Sequence, residues 1–362
     1  MKILFDHQTF SMQKYGGISR YFANLNRGLN ATPGVSSRVA TLYSENEYLT
    51  NEPLLLRSLG AKLLPANKDD QYKWNRRYSR WNVRLSNYDV FHPTYYDPYF
   101  IKSTRKPFVV TIHDMIYELY TGLFDHTAQD IIARKKLLMD KASAVIAISE
   151  HTKSDVLKFY PAMENKMVIV PHGYSIGNTA PENLQLPAYY ILYVGDRWHY
   201  KNFQPFVKAI SGMLQHSKEL NLVCAGGGAF DESEVSLFKS LNIAAQCGQM
   251  SVTDGGLMQL YRQAQLFVFP SLQEGFGFPV LEAFANNCPV ACSNTTSLPE
   301  VAGNAAVYFN PLDATDMKQA VEQVLGNPVL QQQLKQKGKQ QLALFTFDQC
   351  VQNTLKVYQS VL

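Results

Sequence analysis

Short apolar runs alternate along this chain with segments of helical periodicity, and that alternation constrains its fold more than any other feature. Residues 2–5, 37–42, 89–92, 107–112, 143–148 and 167–170 read as strands of one sheet. Residues 190–194, 220–225, 243–246, 266–269, 289–292 and 306–309 read as strands of a second. Strand–helix alternation of this kind is the pattern of parallel α/β sheets. The stretch around 173–188 is rich in turn formers and poor in periodicity, so it reads as a linker. The expected organisation is therefore a Rossmann-like domain over 1–172, the linker, a second Rossmann-like domain over 189–345 and a final helix in 346–362. A length of 362 residues suits two domains that each bury a core. In such sheets ligands bind beyond the carboxyl ends of the strands, so the turns after strands carry the chemistry.

Two turns of the second half are informative. After the apolar run Leu266-Phe-Val-Phe-Pro270 stands Glu274-Gly-Phe-Gly-Phe-Pro-Val-Leu-Glu282. Pro279 suits the first helical position, which puts Glu274 on the loop and Glu282 about one turn into a helix. Gly275, Phe276, Gly277 and Phe278 can present backbone N–H groups near a helix N-terminus, a setting for oxygen-rich or anionic ligands. After Tyr190-Ile-Leu-Tyr-Val194 comes Gly195-Asp-Arg-Trp-His-Tyr-Lys-Asn202. An Arg fork and a Lys point charge placed as Arg197 and Lys201 are could hold a diphosphate and neutralise its charge as it leaves. Taken singly, each segment is also compatible with an ordinary helix start.

With these motifs the chain resembles the retaining, nucleotide-sugar-dependent glycosyltransferases of family 4. Gly16-Gly17 after the first strand, His113-Asp114 after a middle strand and Ser149 complete the motif order. The resemblance implies the α/β GT-B fold, two Rossmann-like domains facing a central cleft. The first domain then serves the acceptor, the second the nucleotide-sugar, and the last helix packs back on the first. It further implies that Glu282 holds the ribose hydroxyls and Glu274, with the N–H groups of Gly275 to Phe278, the donor hexose. Arg197 and Lys201 would stabilise the departing diphosphate, work that other transferases give to a metal. The base would be met by Gln249 and Met250, in a segment expected to follow a strand. His113 would contact the donor sugar, Gly16 and Gly17 would let the chain approach the diphosphate, and Ser149 would help line the site. From the residues alone, Gly16-Gly17 could equally be a turn capping a helix, and Ser149 an N-cap. No Asp-x-Asp triplet occurs, so no metal and no cofactor are expected. No carboxylate in these motifs is an obvious covalent nucleophile, which points to front-face displacement.

The rival readings are weaker. A dehydrogenase needs Gly-x-Gly-x-x-Gly after a strand. This chain offers only Tyr15-Gly-Gly-Ile-Ser-Arg20 and Ala225-Gly-Gly-Gly-Ala-Phe230. A glycoside hydrolase would not need cations for its leaving group. A non-catalytic nucleotide-sugar-binding protein would not need Arg197, Lys201 and both glutamates together. The opening Tyr15-Gly-Gly-Ile-Ser-Arg-Tyr-Phe22 looks like bacterial polysaccharide-assembly enzymes, many of them mannosyltransferases. The expected donor leans toward GDP-mannose, with UDP-sugars as the alternative, and the acceptor is a glycan or lipid-linked glycan.

Composition agrees. A net charge of +4 is too small to argue for nucleic acid. The five cysteines lack a second Cys/His pair for zinc and suit reduced thiols in a cytoplasmic protein. The N-terminus turns polar too soon for a signal peptide, and no apolar run is long enough to span a bilayer. In 72–85, Trp74, Tyr78, Trp81 and Leu85 share one helical stripe, with Lys73, Arg76, Arg77, Arg80 and Arg84 on its flanks. Two readings stand: a helix that rests on the inner face of an anionic membrane, or one that packs its aromatics on the core.

Overall fold

Every paired strand in the structure, a computed structural model describing residues 1–50, 67–124, 127–175, 182 and 184–362, runs parallel to its neighbour. Parallel strands need helical crossovers, and the apolar runs are buried on both faces as that arrangement requires. The chain divides into two units, Met1–Gly173 with Phe347–Leu362, and Tyr174–Thr346. Within the expected linker, residues 176–181 and 183 lie outside the described residues.

In the first unit, β1 (Lys2–Phe5), β2 (Ser36–Val39) and β3 (Val90–His92) lie in the order β2-β1-β3. The strands β4 (Val109–Ile112), β5 (Ala144–Ala147) and β6 (Met167–Ile169) lie in the order β4-β5-β6. A single parallel bridge, Phe91 to Phe108, joins the two sets, with the Phe91 N–H 3.0 Å from the Pro107 carbonyl. Asp6, just past β1, is fully buried and accepts from Thr94 N (2.9 Å), Thr94 Oγ1 (2.7 Å), Gln8 Nε2 (2.7 Å) and Tyr99 OH (3.2 Å). Gln8 in turn donates to the Asp97 carbonyl and accepts from the Asp97 N–H. This network fixes the segment after β3 in one conformation, because each buried polar atom would be costly unpaired.

The C-terminal helix Phe347–Ser360 packs on the helix Gly17–Asn30 at Gly28, where an added Cβ would lie 2.5 Å from Val351 Cγ2. Its Tyr358 is fully buried, with the hydroxyl 2.7 Å from His92 Nδ1, and His92 Nε2 lies 3.0 Å from Thr111 Oγ1.

The helix Lys68–Leu85 turns its polar side inward. Its buried residues are Asn75, Ser79, Asn82 and Val83, whereas Trp74, Trp81 and Leu85 are 45%, 57% and 62% exposed. Core packing of the aromatic stripe is therefore not what the structure shows. The reason is hydrogen bonding. Asn75 bridges Leu42 N (2.9 Å), Tyr43 N and the Tyr43 carbonyl, Ser79 lies 2.6 Å from Tyr99 OH, and Asn82 accepts from Arg38. Satisfied amides, rather than apolar spacing, set the rotation of this helix.

In the second unit, β7 (Tyr190–Val194), β8 (Asn221–Ala225), β9 (Cys247–Met250), β10 (Leu266–Phe269), β11 (Val290–Ser293) and β12 (Ala306–Phe309) form one sheet. Their order is β12-β11-β10-β7-β8-β9, so the winding reverses between β7 and β10. The strand expected at 243–246 lies further along. Ala244–Gln246 is a turn of 3₁₀ helix, and β9 follows, paired Leu222 to Cys247 through Ala225 to Met250. Gln246 is buried, and its amide donates to the carbonyls of Leu214, Ser217 and Leu220, which anchors the turn ahead of the ladder. Phe203, Phe206, Val207, Ile210 and Leu214 give the helix Phe203–His216 its buried stripe against the sheet.

The first unit buries His7, His92, His113 and His172, while His199 and His216 of the second are exposed. Burial lowers His7 to about 3, with the Arg76 charge adding to it, and His92 to about 3, with His113 adding. Burial likewise lowers His113 to about 4 and His172 well below its ordinary value. Each stays neutral when folded but takes a proton in the unfolded chain below about pH 6.5. The stability present above that pH is thus lost as pH falls toward about 4, by up to about 1.4 kcal/mol per unit and histidine. Calorimetry should show the first unit melting at clearly lower temperature near pH 5 than near pH 7. Equal melting temperatures would contradict this account.

Candidate functional site

At the reversal point of the second sheet, β7 and β10 are neighbours, and the loops that leave them lead to crossovers on either side and lie against each other. The Leu272 N–H donates to the Tyr200 carbonyl at 2.7 Å, which ties the two loops together. Lys201 Nζ then meets Glu274 Oε1 at 2.7 Å, with the two side chains 17% and 12% exposed. A half-buried pair of this kind presents a cation and a carboxylate together at the mouth of the sheet. Asn202, in the left-handed conformation at φ +57°, ends the 3₁₀ turn His199–Lys201 and starts the helix Phe203–His216. Its side chain donates to the Pro311 carbonyl at 2.7 Å.

The loop after β10 is equally well fixed. Ser297 Oγ donates to the carbonyls of Glu274 (3.0 Å) and Phe276 (2.9 Å), and Gly275, Phe276 and Gly277 are buried. Gly277 sits at φ +109°, and an added Cβ would lie 2.8 Å from Leu298 Cδ2, so glycine is required there twice over. The helix Phe278–Ala285 starts next, with Pro279 in its first turn. Glu282 is half-buried on it and accepts from Tyr261 OH at 3.2 Å. Phe276 packs edge-to-face on Phe278 and Phe345. Gln249 and Met250 lie on β9 itself rather than after a strand, half-buried at its carboxyl end.

Arg197 is oriented differently from the outward fork expected of it. Its Nε donates to Glu234 Oε1 at 2.8 Å, its Nη1 to the Gly226 carbonyl at 2.8 Å, and its Nη2 to those of Gly228 and Ala229, each at 3.0 Å. The side chain is 4% exposed. The loop that wraps it is made by Gly226, Gly227 and Gly228, all at positive φ, where L side chains are strained. Glu234 is also the third residue of a capping box with Asp231, so the partner of Arg197 is itself held. The sequence carried a signal for this clamp, in the three glycines after β8 and the Asp-x-x-Glu at 231–234, that motif reading passed over.

In the first unit, His113 stands directly after β4, buried, with its N–H donating to Tyr96 OH at 3.2 Å. Its ring lies 5.7 Å from that of His172 and is near-parallel to it. Ser149 is fully buried and caps the helix Glu150–Phe159 by accepting from the Thr152 N–H at 2.9 Å. Gly16 is the N-cap of the helix Gly17–Asn30. The fold makes no packing demand at Gly17, because an added Cβ would meet nothing within 4 Å. Among the described residues no cluster of His, Cys, Asp and Glu could hold a metal ion. The five cysteines are free thiols, all but Cys247 buried.

Comparison with known proteins gives this geometry its context. Residues 15–177 match the family model "Glycosyltransferase Family 4", and residues 178–341 match "Glycosyl transferases group 1". The O-antigen chain mannosyltransferase B of Escherichia coli is 26% identical over 300 residues, covering 78% of this chain and 77% of that protein. The serotype-specific mannosyltransferase WbdA of Escherichia coli is 28% identical over 265 residues, 66% of this chain but 32% of that longer protein. Among solved structures, a sucrose-phosphate synthase from Thermosynechococcus elongatus superposes with a TM-score of 0.72 at 17% identity, covering 99% of this chain and 98% of that one. The Anabaena protein HepE, solved with UDP and glucose, superposes with a TM-score of 0.70 at 14% identity over the whole of both chains. The chain belongs to glycosyltransferase family 4, with the GT-B fold.

Proposed function

We propose that this glycosyltransferase moves a hexose from a nucleotide-sugar to a glycan or lipid-linked glycan hydroxyl in the synthesis of a surface polysaccharide, with retention of configuration. The observation that carries the reading is the Lys201–Glu274 pair at the reversal point of the second sheet. The mannosyltransferase names of the relatives favour mannose, from GDP-mannose. No helix among the described residues is long and apolar enough to cross a membrane. We place the reaction in the cytoplasm, with the exposed aromatics of the helix Lys68–Leu85 resting on an anionic membrane.

In this mechanism Glu282, steadied by Tyr261, accepts from the ribose hydroxyls. Glu274, held by Lys201, accepts from hydroxyls of the hexose, and the helix N-terminus after Gly277 faces oxygen-rich groups of the donor. As the acceptor oxygen bonds to the anomeric carbon, the bond from that carbon to the diphosphate oxygen breaks. The leaving oxygen takes the acceptor's proton on the same face, and Lys201 balances the charge that develops on the diphosphate. That charge is supplied by the protein, so no metal is required. Arg197, its charge met by Glu234 and the carbonyls of the glycine loop, holds the loop behind the site in place. His113, kept neutral because burial lowers it to about 4, can hydrogen-bond a sugar hydroxyl without competing for the acceptor's proton.

Three outcomes test these roles. A thermal-shift panel of nucleoside diphosphates should stabilise the protein in EDTA, by about 2.7 kcal/mol at a hundredfold excess over Kd. Glu282→Ala should weaken that binding, while Glu274→Ala should keep it and lose transfer. Stabilisation that needs added divalent metal, or equal loss of binding in both variants, would overturn the assignment.

Lys201→Ala should lose transfer with little change in stability. Arg197→Ala, which leaves Glu234 buried without its partner, should cost roughly 3–5 kcal/mol of stability. Matched melting temperatures for the two variants would contradict this division.

Gly17→Ala should melt at or slightly above the wild-type temperature, by about 0.4–1 kcal/mol, since nothing opposes its Cβ and the unfolded chain loses freedom. Its transfer rate should nevertheless fall, through crowding of the donor's diphosphate. Wild-type turnover would remove the donor-approach role of Gly17.

A further inference from the structure

The helix Lys68–Leu85, the segment after β3 and the helix Thr127–Lys141 border an open surface cavity of about 490 Å³ in the first unit. Its charged walls are Arg76, Arg80, Lys102 and Arg134, against the single carboxylate of Asp97. Asp97 is already engaged, 3.0 Å from Arg76 Nε and bonded by Tyr72 OH and the Tyr99 N–H. Arg80 and Lys102 have no carboxylate within ion-pair distance among the described residues, and Arg134 reaches only the exposed Asp130, at 3.9 Å. The floor of the cavity is the ring of Tyr99, with Arg76 Cζ 5.8 Å and Arg80 Cζ 5.9 Å from its centroid. That ring is immobilised from below, since its hydroxyl contacts Ser79 and donates to the buried Asp6. Two guanidinium groups thus lie beside one aromatic ring, which the core network of the unit holds in place. Like charges held close repel, and an anion between them relieves the repulsion.

We propose that this cavity is a binding site for the phosphate group of a membrane lipid. The proposal rests on the membrane reading above and adds to it a site of defined chemistry. Guanidinium forks match phosphate oxygens in bidentate geometry. The lipid origin follows from the rest of the helix. At 100° per residue, Arg76, Arg80, Lys73, Arg84 and Arg77 form one continuous arc, and the exposed Trp81, Trp74 and Leu85 continue it directly. A free anion would use the cationic arc alone, whereas an interface supplies both the phosphate and the amphipathic zone that tryptophan favours.

The test is flotation with vesicles of phosphatidylglycerol and phosphatidylcholine in equal parts, at fixed ionic strength. It compares wild type with R80Q/K102Q, with R105Q/K106Q as a charge-matched control on exposed cations outside the cavity, and with W74S/W81S. All four positions of the two charge pairs are exposed. R80Q/K102Q should lose vesicle affinity by about tenfold or more relative to the control pair. Inorganic pyrophosphate should displace wild type but not R80Q/K102Q. Nucleoside diphosphate binding should stay at the wild-type level. Equal losses in the two charge pairs would overturn the site while leaving the membrane reading in place, provided W74S/W81S also loses affinity. Failure of wild type to float would overturn both. Pyrophosphate binding as tight as vesicle binding would assign the cavity to a free anion and overturn the lipid occupant.

Discussion

A parallel sheet must return each strand through a crossover, and where the direction of winding reverses, the crossovers of two neighbouring strands lead away from each other and leave a crevice between their carboxyl ends. The second unit rests on this constraint. Its reversal falls between β7 and β10, and both loops that carry the family's charged residues issue from that point. The backbone bond from Leu272 to Tyr200 and the pairing of Lys201 with Glu274 follow from that adjacency. Residues 73 positions apart in sequence become partners because their strands are neighbours.

The two cations of the loop after β7 show how four residues of separation can decide opposite fates. Arg197 is enclosed by a glycine loop and Glu234, with its charge met inside the protein. A planar fork with several donors suits a cradle of carbonyls, and the three consecutive left-handed glycines let those carbonyls converge. Lys201, a point charge on a flexible stem, stays at the surface of the site beside a single carboxylate. The first acts as a structural bolt whose removal endangers the unit. The second is the charge available to a ligand.

The first unit shows the same logic in a different guise. Asp6, Gln8, Thr94 and Tyr99 form a buried polar network that holds the segment after β3. The helix above it is rotated to satisfy Asn75, Ser79 and Asn82, and that rotation carries Trp74, Trp81 and Leu85 outward. Burying an unpaired amide costs about as much as burying a large apolar side chain brings, so a fully satisfied polar face can win the inward position.

What the sequence determined by itself was everything that depends on local pattern. Apolar runs fixed the parallel α/β class, Gly277 and Pro279 fixed the loop-to-helix turn after β10, and motif order fixed the family. These features were readable because backbone conformation and two-face burial leave marks on adjacent residues. Other features were decided only in three dimensions. The run at 243–246 had the composition of a strand, but Gln246 caps three distant carbonyls and moves the strand to Cys247–Met250. Arg197 carried a motif identity, yet its polar atoms are taken up by a loop some thirty positions away. The stripe at 72–85 was visible, but not which side of it faces the core. In each case the deciding term was a hydrogen bond or ion pair to a residue far along the chain, and pairing at a distance is set by the strand order of the folded sheet, which no local pattern records.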